Sequence, residues 1–336
     1  MRKVTLLLIL VVLTVIAGMK LGAARPATRV GNLLDALPDG TAVAIIDFQK
    51  IAASSLWAAL NAQEKLKGAI DKAQSGMADL GLKLTDVNTV AVVFPAAGMN
   101  YPTVALTGGF EQNNLLAQLR ASRKVKLTSE KYKDFDIYRV RSVGASAASK
   151  PTGAGLTTIT KDETSFVFYD ANTVVVGSPE AVRASVDVKS GTKPSIAQNL
   201  KLIDALMQNP AAAVRFALTL TPAMTRGLQT SDLPLPESSS IALIFGTVDV
   251  GSGIDLNATL RTDNAEHAKA IAERLNGLLS MARGLLGSAG DTKMTPIADA
   301  LKTVNIVSAD ADVKITGSLP MDLLSSLLSS STKKEQ

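Results

Sequence analysis

A recurring arrangement of two short apolar runs, a tight turn and a helix start constrains the fold of this chain more than any other feature. One copy spans residues 165–186, SFVFYDANTVVVGSPEAVRASV, where DAN separates the two runs and Pro179 opens the helix. The second apolar run of a similar copy begins at Tyr101, at Ile254 and at Ala311. A polar turn and a helical stretch follow each of these runs. Apolar runs of this length that are joined by short turns predict β-hairpins.

The larger order of these elements predicts two similar halves. From Ala42 to about Val188, and again from Ala211 onwards, the chain reads strand, helix, then two copies of hairpin plus helix. Hairpins build antiparallel sheets, and helices that follow them usually cover one face. We therefore predict an α+β fold of two pseudo-repeated halves, 33–197 and 210–330, each of mainly antiparallel sheet with helices packed on one face. We expect the tail, 331–336, to be disordered.

Two of the helix starts carry capping residues. Ser178 precedes Pro179, which suits the first helical position. Asp263 precedes Glu266 by three residues, the spacing of a capping box. These polar residues are therefore expected to serve backbone geometry.

The N-terminus has the layout of a secretory signal. Arg2 and Lys3 precede sixteen residues without charge, and the small-residue segment LGAA follows Lys20. Cleavage is expected after Ala24, with Gly22 and Ala24 at the small positions. The apolar run is long for a signal peptide and short for a membrane span, so residues 1–24 are interpreted as a signal peptide or an N-terminal membrane anchor. Either interpretation predicts an extracytoplasmic body that is periplasmic, anchored at the outer face of the inner membrane, or secreted.

Composition excludes several functional classes. Without Arg2, Lys3 and Lys20, the chain has 32 basic and 30 acidic residues, so its net charge is close to zero. A nucleic-acid partner is therefore not expected. Cysteine is absent, which excludes disulfides, thiol nucleophiles and thiolate metal sites. Aromatic residues make up 4% of the chain, which offers few surfaces for stacking on bases or sugars.

The chain has few residues for catalysis. His267 is the single histidine and is expected on the solvated face of a helix. The closest carboxylate pairs, Asp134 with Asp136 and Asp310 with Asp312, fall where turns are predicted, and aspartate favours turns. No phosphate-binding or nucleophile-elbow motif is present. We predict no catalytic, cofactor-binding or metal-binding residue, and a protein that is not an enzyme.

A basic segment, residues 120–141, departs from the even charge distribution. Its cations suggest either a patch for an anionic partner or an edge strand that lysines protect from aggregation. Strand alternation places Lys124 and Lys126 on the face opposite Val125 and Leu127. The candidate patch consists of Arg120, Arg123, Lys124, Lys126, Lys131, Lys133, Arg139 and Arg141.

Several stretches resemble a family of bacterial exported proteins that are known as domains of unknown function. They are LLDALPDGTAVAIIDFQKI, VNTVAVVF with TVALTGGF, and NTVVVGSPEAV, which lie within residues 33–188. The resemblance implies export and supplies no catalytic residues. We expect a non-enzymatic cell-envelope protein with a binding or scaffold role, whose partner is a protein or an anionic envelope component. The alternatives are a carrier of an apolar small ligand or lipid, and an extracytoplasmic enzyme that depends on carboxylates.

Overall fold

The computed structural model describes residues 33–61, 86–95, 102–123, 125–143, 163–230, 235–288 and 295–324. The expected signal or anchor segment, its cleavage position Ala24 and the tail 331–336 lie outside these residues. The chain divides into two compact units. The first consists of Met1–Ala53 and Leu60–Ile203, and the second of Ser54–Ala59 and Asp204–Gln336.

Twelve strands account for most of the described structure. The strands are β1 Gly40–Asp47, β2 Val87–Pro95, β3 Thr103–Gly108, β4 Val125–Tyr132, β5 Phe135–Ser142, β6 Thr164–Asp170, β7 Thr173–Gly177, β8 Val214–Leu218, β9 Ile241–Val250, β10 Gly253–Thr262, β11 Asn305–Ala309 and β12 Asp312–Pro320. The helices are α1 Phe48–Ala52, α2 Ser55–Asn61, α3 Gln112–Ala121, α4 Pro179–Lys189, α5 Leu200–Leu206, α6 Pro222–Gln229, α7 Ala265–Ser288 and α8 Thr295–Lys302. Short 3₁₀ helices lie at Ile196–Gln198 and Pro236–Ser240.

The strands form one antiparallel sheet, in the order β11-β12-β10-β9-β8-β1-β2-β3-β7-β6-β5-β4. The α+β class is correct, but the prediction of two pseudo-repeated halves, each with its own sheet, is wrong. Hairpin patterns identify strands that are neighbours in sequence. They carry no information on which strands of different hairpins pair with each other, because the hydrogen bonds between strands use backbone groups that every residue has.

A buried row of side chains crosses the sheet in the first unit. Direct register partners on successive strands have no exposed surface: Ile45, Ala91, Ala105, Val175, Val167 and Ile137. Directly opposed residues point to the same face of a sheet, so these six side chains share one face. The next register partner, on β4, is Glu130. The row of buried side chains therefore ends at β5, and its next member, on the terminal strand β4, is a partly exposed carboxylate.

Helix α4 begins as the sequence predicts. Ser178 is the N-cap, and its side chain accepts a hydrogen bond from the backbone N–H of Ala181 at 3.2 Å, with Pro179 in the first turn. Val182 and Val186 are completely buried. The helix packs against β5, β6 and β7, so its polar side chains lie close to the strands that form the end of the sheet.

Helix α7 begins one residue later than the capping-box prediction. Asn264 supplies the side chain that accepts the backbone N–H of His267, at 2.9 Å. The carboxylate of Asp263 instead lies 2.6 Å from Nδ1 of His267. The predicted cap at Asp263 is wrong because the neighbouring Asn264 takes that role, while Asp263 pairs with the imidazole.

In the second unit, α7 packs on the sheet through small and branched residues. The described core cluster comprises Leu235, Ile241, Leu260, Ala268, Ile271, Ala272 and Val313. Small side chains such as Ala268 and Ala272 let a helix approach the strands closely. The buried positions Ala268, Ile271 and Ala272 therefore form the face of α7 that covers the strands.

Candidate functional site

The basic segment occupies the end of the sheet. Arg120 lies in α3, Lys126 and Lys131 lie in β4, and Arg139 and Arg141 lie in β5. Arg123 precedes β4, and Lys133 occupies the two-residue turn between β4 and β5 with a φ of 53°. Lys124 lies outside the described residues. Strand β4 pairs with β5 and is the terminal strand of the sheet.

Glu130 holds two arginines from different elements. Its Oε2 atom accepts a hydrogen bond from Nη2 of Arg139 at 2.6 Å. Its Oε1 atom accepts from Nε and Nη2 of Arg183 in α4, at 3.0 and 2.8 Å. These contacts, led by the hydrogen bond from Arg139, lower the pKa of Glu130 below its ordinary value. The carboxylate is therefore ionised and neutralises charge that the sequence assigns to the patch.

Glu163, the residue directly before β6, provides a second counterion. Its Oε2 atom lies 3.2 Å from Nη2 of Arg141, and its Oε1 atom lies 3.8 Å from Nη1 of Arg139. Arg139 is thus placed between Glu130 and Glu163, and its pKa is raised, first by the hydrogen bond to Glu130. Both arginines of β5 are paired.

Asp187 of α4 neutralises the turn. Its Oδ1 atom accepts hydrogen bonds from Nζ of Lys133 at 2.7 Å and from the hydroxyl of Tyr132 at 3.0 Å. Its Oδ2 atom lies 3.2 Å from Nζ of Lys193. Burial opposes ionisation of Asp187, but these hydrogen bonds outweigh it and lower the pKa of the carboxyl. Lys133 is therefore not available as a free cation.

Four cations of the segment are exposed and make no ion pair in the part of the chain that the structure describes. They are Arg120, Arg123, Lys126 and Lys131. Asp136 is opposite Lys131 in the strand register without forming an ion pair with it, and Asp134 lies in the turn. The uncompensated charge remains positive. We call β4 together with these four cations the basic edge.

Sequence reasoning missed the counterions. Glu163 and Asp187 lie far from the segment in the chain, and only tertiary packing brings them to it. A signal was present for one of them. Arg183 and Asp187 are four residues apart in PEAVRASVDVK, which places both on one face of α4. A charged stripe on an otherwise buried helix indicates that a charged strand lies beside it.

The residues considered for catalysis lie on turns and strand ends. Asp134 belongs to the turn between β4 and β5, and Asp310 to the turn between β11 and β12 with a φ of 50°. Asp312 begins β12 and accepts two hydrogen bonds from Arg261, at 2.8 and 3.0 Å. Among the described residues, no group of three histidine or acidic side chains could hold a metal ion. The side chain of His267 contacts Asp263 and Asn264 and is partly exposed.

A surface pocket of about 480 Å³ lies in the first unit, between the start of α3 and the turn between β6 and β7. Pockets for apolar ligands are lined mainly by apolar side chains. Here five of the nine lining residues are polar or charged, which does not favour the carrier alternative. The lining consists of Phe110, Glu111, Gln112, Asn113, Asn114, Phe168, Tyr169, Asp170 and Ala171.

Comparison with known proteins gives little information about the family or function of this chain. No family profile and no curated protein matches the chain. Two solved structures, crystal forms IV and I of TP0453, are similar to it, with TM-scores of 0.45 and 0.43. They are 11% and 12% identical in sequence, and each alignment covers 88% of this chain and 96% of the other. Similarity at this level supports no argument about function, and the resemblance to bacterial exported proteins stays a prediction.

None of the described helices combines the length and apolar character needed to cross a membrane.

Proposed function

We propose that this chain is a non-enzymatic binding or scaffold protein of the bacterial cell envelope that meets an anionic partner through the basic edge. One observation carries the proposal: Arg120, Arg123, Lys126 and Lys131 lie in or beside the terminal strand of the sheet, exposed and without an ion pair to any described residue. Fixed charges without counterions attract anionic groups and speed their encounter. The partner is a protein or an anionic envelope component, since the chemistry shared by both is negative charge.

The counterions in the first unit support this interpretation. Glu130, Glu163 and Asp187 are each engaged by other cations, so they do not cancel the four cations of the basic edge. The exposed acids of the same hairpin, Asp134 and Asp136, leave two carboxylates against these four cations, so the charge stays positive.

The location of the protein is proposed from the N-terminal sequence. Residues 4–19 carry no charge, and Ala24 ends a small-residue segment. N-terminal sequencing of the protein from membrane and soluble envelope fractions tests this. A chain that begins at Arg25 supports cleavage, a chain that retains residues 1–24 in the membrane fraction supports an anchor, and recovery in the cytoplasm contradicts both.

Charge reversal tests the binding role. Lys126→Glu combined with Lys131→Glu changes the charge of the basic edge by four. Lys201→Glu combined with Lys314→Glu is the matched control, because both lysines are exposed and make no ion pair in the described part of the chain. Binding to immobilised polyphosphate and to an acidic peptide is measured from 50 to 500 mM NaCl.

We expect the reversal at the basic edge to weaken binding roughly tenfold at low salt and the control to change it by less than about threefold. Binding of the unmodified protein should fall with salt, because the Debye length shrinks from about 14 Å at 50 mM to about 4 Å at 500 mM. Equal behaviour of the two double variants would remove the basis of the proposal.

A further inference from the structure

The outer side of β4 is a regular strand edge that pairs with none of the described strands. Its eight residues pair one-to-one with β5, from Val125 opposite Ser142 to Tyr132 opposite Phe135, without a bulge. No described strand pairs with its other side. It contains neither proline nor glycine. Edge strands are commonly protected by shortness, proline, bulges or lysines, and of these β4 has only its lysines, Lys126 and Lys131. The opposite end of the sheet, β11, is a strand of five residues.

The turn fixes which backbone groups face outward. Lys133 and Asp134 form a two-residue turn closed by Tyr132 and Phe135. The residues that flank such a turn bond to each other, and bonded pairs alternate along an antiparallel ladder. The backbone N–H and C=O groups of alternate residues therefore point away from β5. These residues are Val125, Leu127, Ser129 and Lys131.

The lysines of β4 determine the charge of the strand that can pair with this edge. Lys126 and Lys131 are five residues apart, so their side chains lie on opposite faces of β4. A second copy of β4 offers these lysines no free carboxylate, because its one acidic residue, Glu130, is already engaged by Arg139 and Arg183. A strand with carboxylates at matching positions would gain cross-strand pairs on both faces. The lysines therefore favour an acidic strand over a second copy of β4.

We propose that the basic edge binds an extended acidic segment of a partner protein, which adds to the sheet as a further strand beside β4. This inference rests on the proposed function and specifies the partner as a peptide, because a polymer without backbone amides cannot use the outward N–H and C=O groups. Backbone hydrogen bonds supply affinity in strand addition, and side-chain contacts supply selectivity. The favoured segment carries two acidic residues five positions apart.

Synthetic peptides test the spacing. The probe is an eight-residue peptide of threonine and valine with glutamates at its second and seventh positions, titrated against the full-length protein. A peptide of the same composition with glutamates at the second and sixth positions places both carboxylates on one face. We expect it to bind about two- to fivefold more weakly, the effect of one lost cross-strand pair. Equal affinities would contradict the assigned spacing.

A backbone test separates strand addition from charge attraction. Ser129→Pro removes an outward N–H from an exposed position and leaves the charge unchanged, whereas Ser129→Thr keeps the N–H. We expect the proline variant to lose at least tenfold in affinity for the peptide and to bind polyphosphate normally. The threonine variant should bind both probes normally. If the proline variant does not melt cooperatively, a peptide with alternate N-methylated amides is titrated against the unmodified protein instead.

The outcomes distinguish the two proposals. If Ser129→Pro or N-methylation leaves peptide affinity unchanged while reversal of Lys126 and Lys131 abolishes binding, strand addition is overturned and the proposed function stands. If reversal of the lysines changes binding of neither probe, the proposed function fails. If polyphosphate binding falls with peptide binding in Ser129→Pro, the variant has altered the charged surface and the N-methylated peptide decides the matter.

Discussion

Glu130→Gln probes the charged end of the sheet most directly. The substitution preserves side-chain size and removes the carboxylate that accepts three hydrogen bonds from Arg139 and Arg183. The side chains of Glu130, Arg139 and Arg183 are 31%, 26% and 43% exposed, so solvent screens the two ion pairs in part. Exposed pairs contribute up to about 1 kcal/mol each. We therefore expect the free energy of unfolding to fall by about 1–2 kcal/mol, and Tm by roughly 3–6 °C.

The pH and salt dependence of this loss identifies its origin. The folded-state pKa of Glu130 is lowered from its ordinary value of 4.5, first by the hydrogen bond from Arg139. Its contribution is therefore complete above about pH 4.5 and disappears as the pH falls through the lower folded-state pKa. The difference between the unmodified protein and Glu130→Gln should shrink below pH 4.5 and also in 1 M NaCl, where the Debye length is about 3 Å.

Chemical denaturation followed by circular dichroism measures the loss. Glu273→Gln is the control, because its pair with Lys269 is 3.9 Å long and strongly exposed, and it should change stability by less than about 0.5 kcal/mol. A loss that is equal in the two variants, or one that is the same at pH 3 and pH 7, would refute the reasoning. The released arginines should also strengthen polyphosphate binding, so stability and binding are expected to change in opposite directions.

Three further substitutions test the packing. Gly246→Ala should destabilise the protein by about 2–3 kcal/mol, because the added Cβ would overlap the carbonyl oxygen of Asn257; a loss below 1 kcal/mol in a urea titration would contradict this. Ser178→Ala should cost about 1 kcal/mol as the cap of α4 is lost, and an unchanged thermal melt would argue against the cap. Tyr169→Phe removes a hydrogen bond of 2.7 Å to Ser185. Because burial raises the pKa of Tyr169, ultraviolet titration should show one fewer tyrosine that resists ionisation above pH 10, and an identical titration curve would contradict the assignment.

The local elements of the fold could be predicted, and the assembly of the sheet could not. The hairpins β2–β3, β6–β7, β9–β10 and β11–β12 all form as the apolar runs and turns predict. A short turn allows few alternatives to pairing of the strands that it joins. The pairing of β3 with β7 joins strands that are far apart in the chain, with Val104 opposite Val176. Both strands are buried along most of their length and combine threonine with small or branched apolar residues, so their side chains do not identify one partner or one register.

The positive charge of the candidate site could be predicted from the sequence. The acidic residues that neutralise part of that charge could not. The sequence identifies an excess of cations at residues 120–141. It does not reveal that Glu163 and Asp187 neutralise Arg141 and Lys133, because those contacts depend on how α4 and β6 pack beside the hairpin. Charge counted along a chain is therefore a poor measure of charge presented at a surface.

The segment Ser54–Ala59 has a consequence for how the protein acquires its structure. It belongs to the second unit, and the hydroxyl of Ser55 donates a hydrogen bond to the carbonyl of Gly251, 196 residues later. Because contacts between residues far apart in the chain slow folding, we expect this contact to form late. Trp57, the single tryptophan, lies in the same segment and is almost completely buried. Its fluorescence therefore reports when this segment becomes buried during refolding, without any added label.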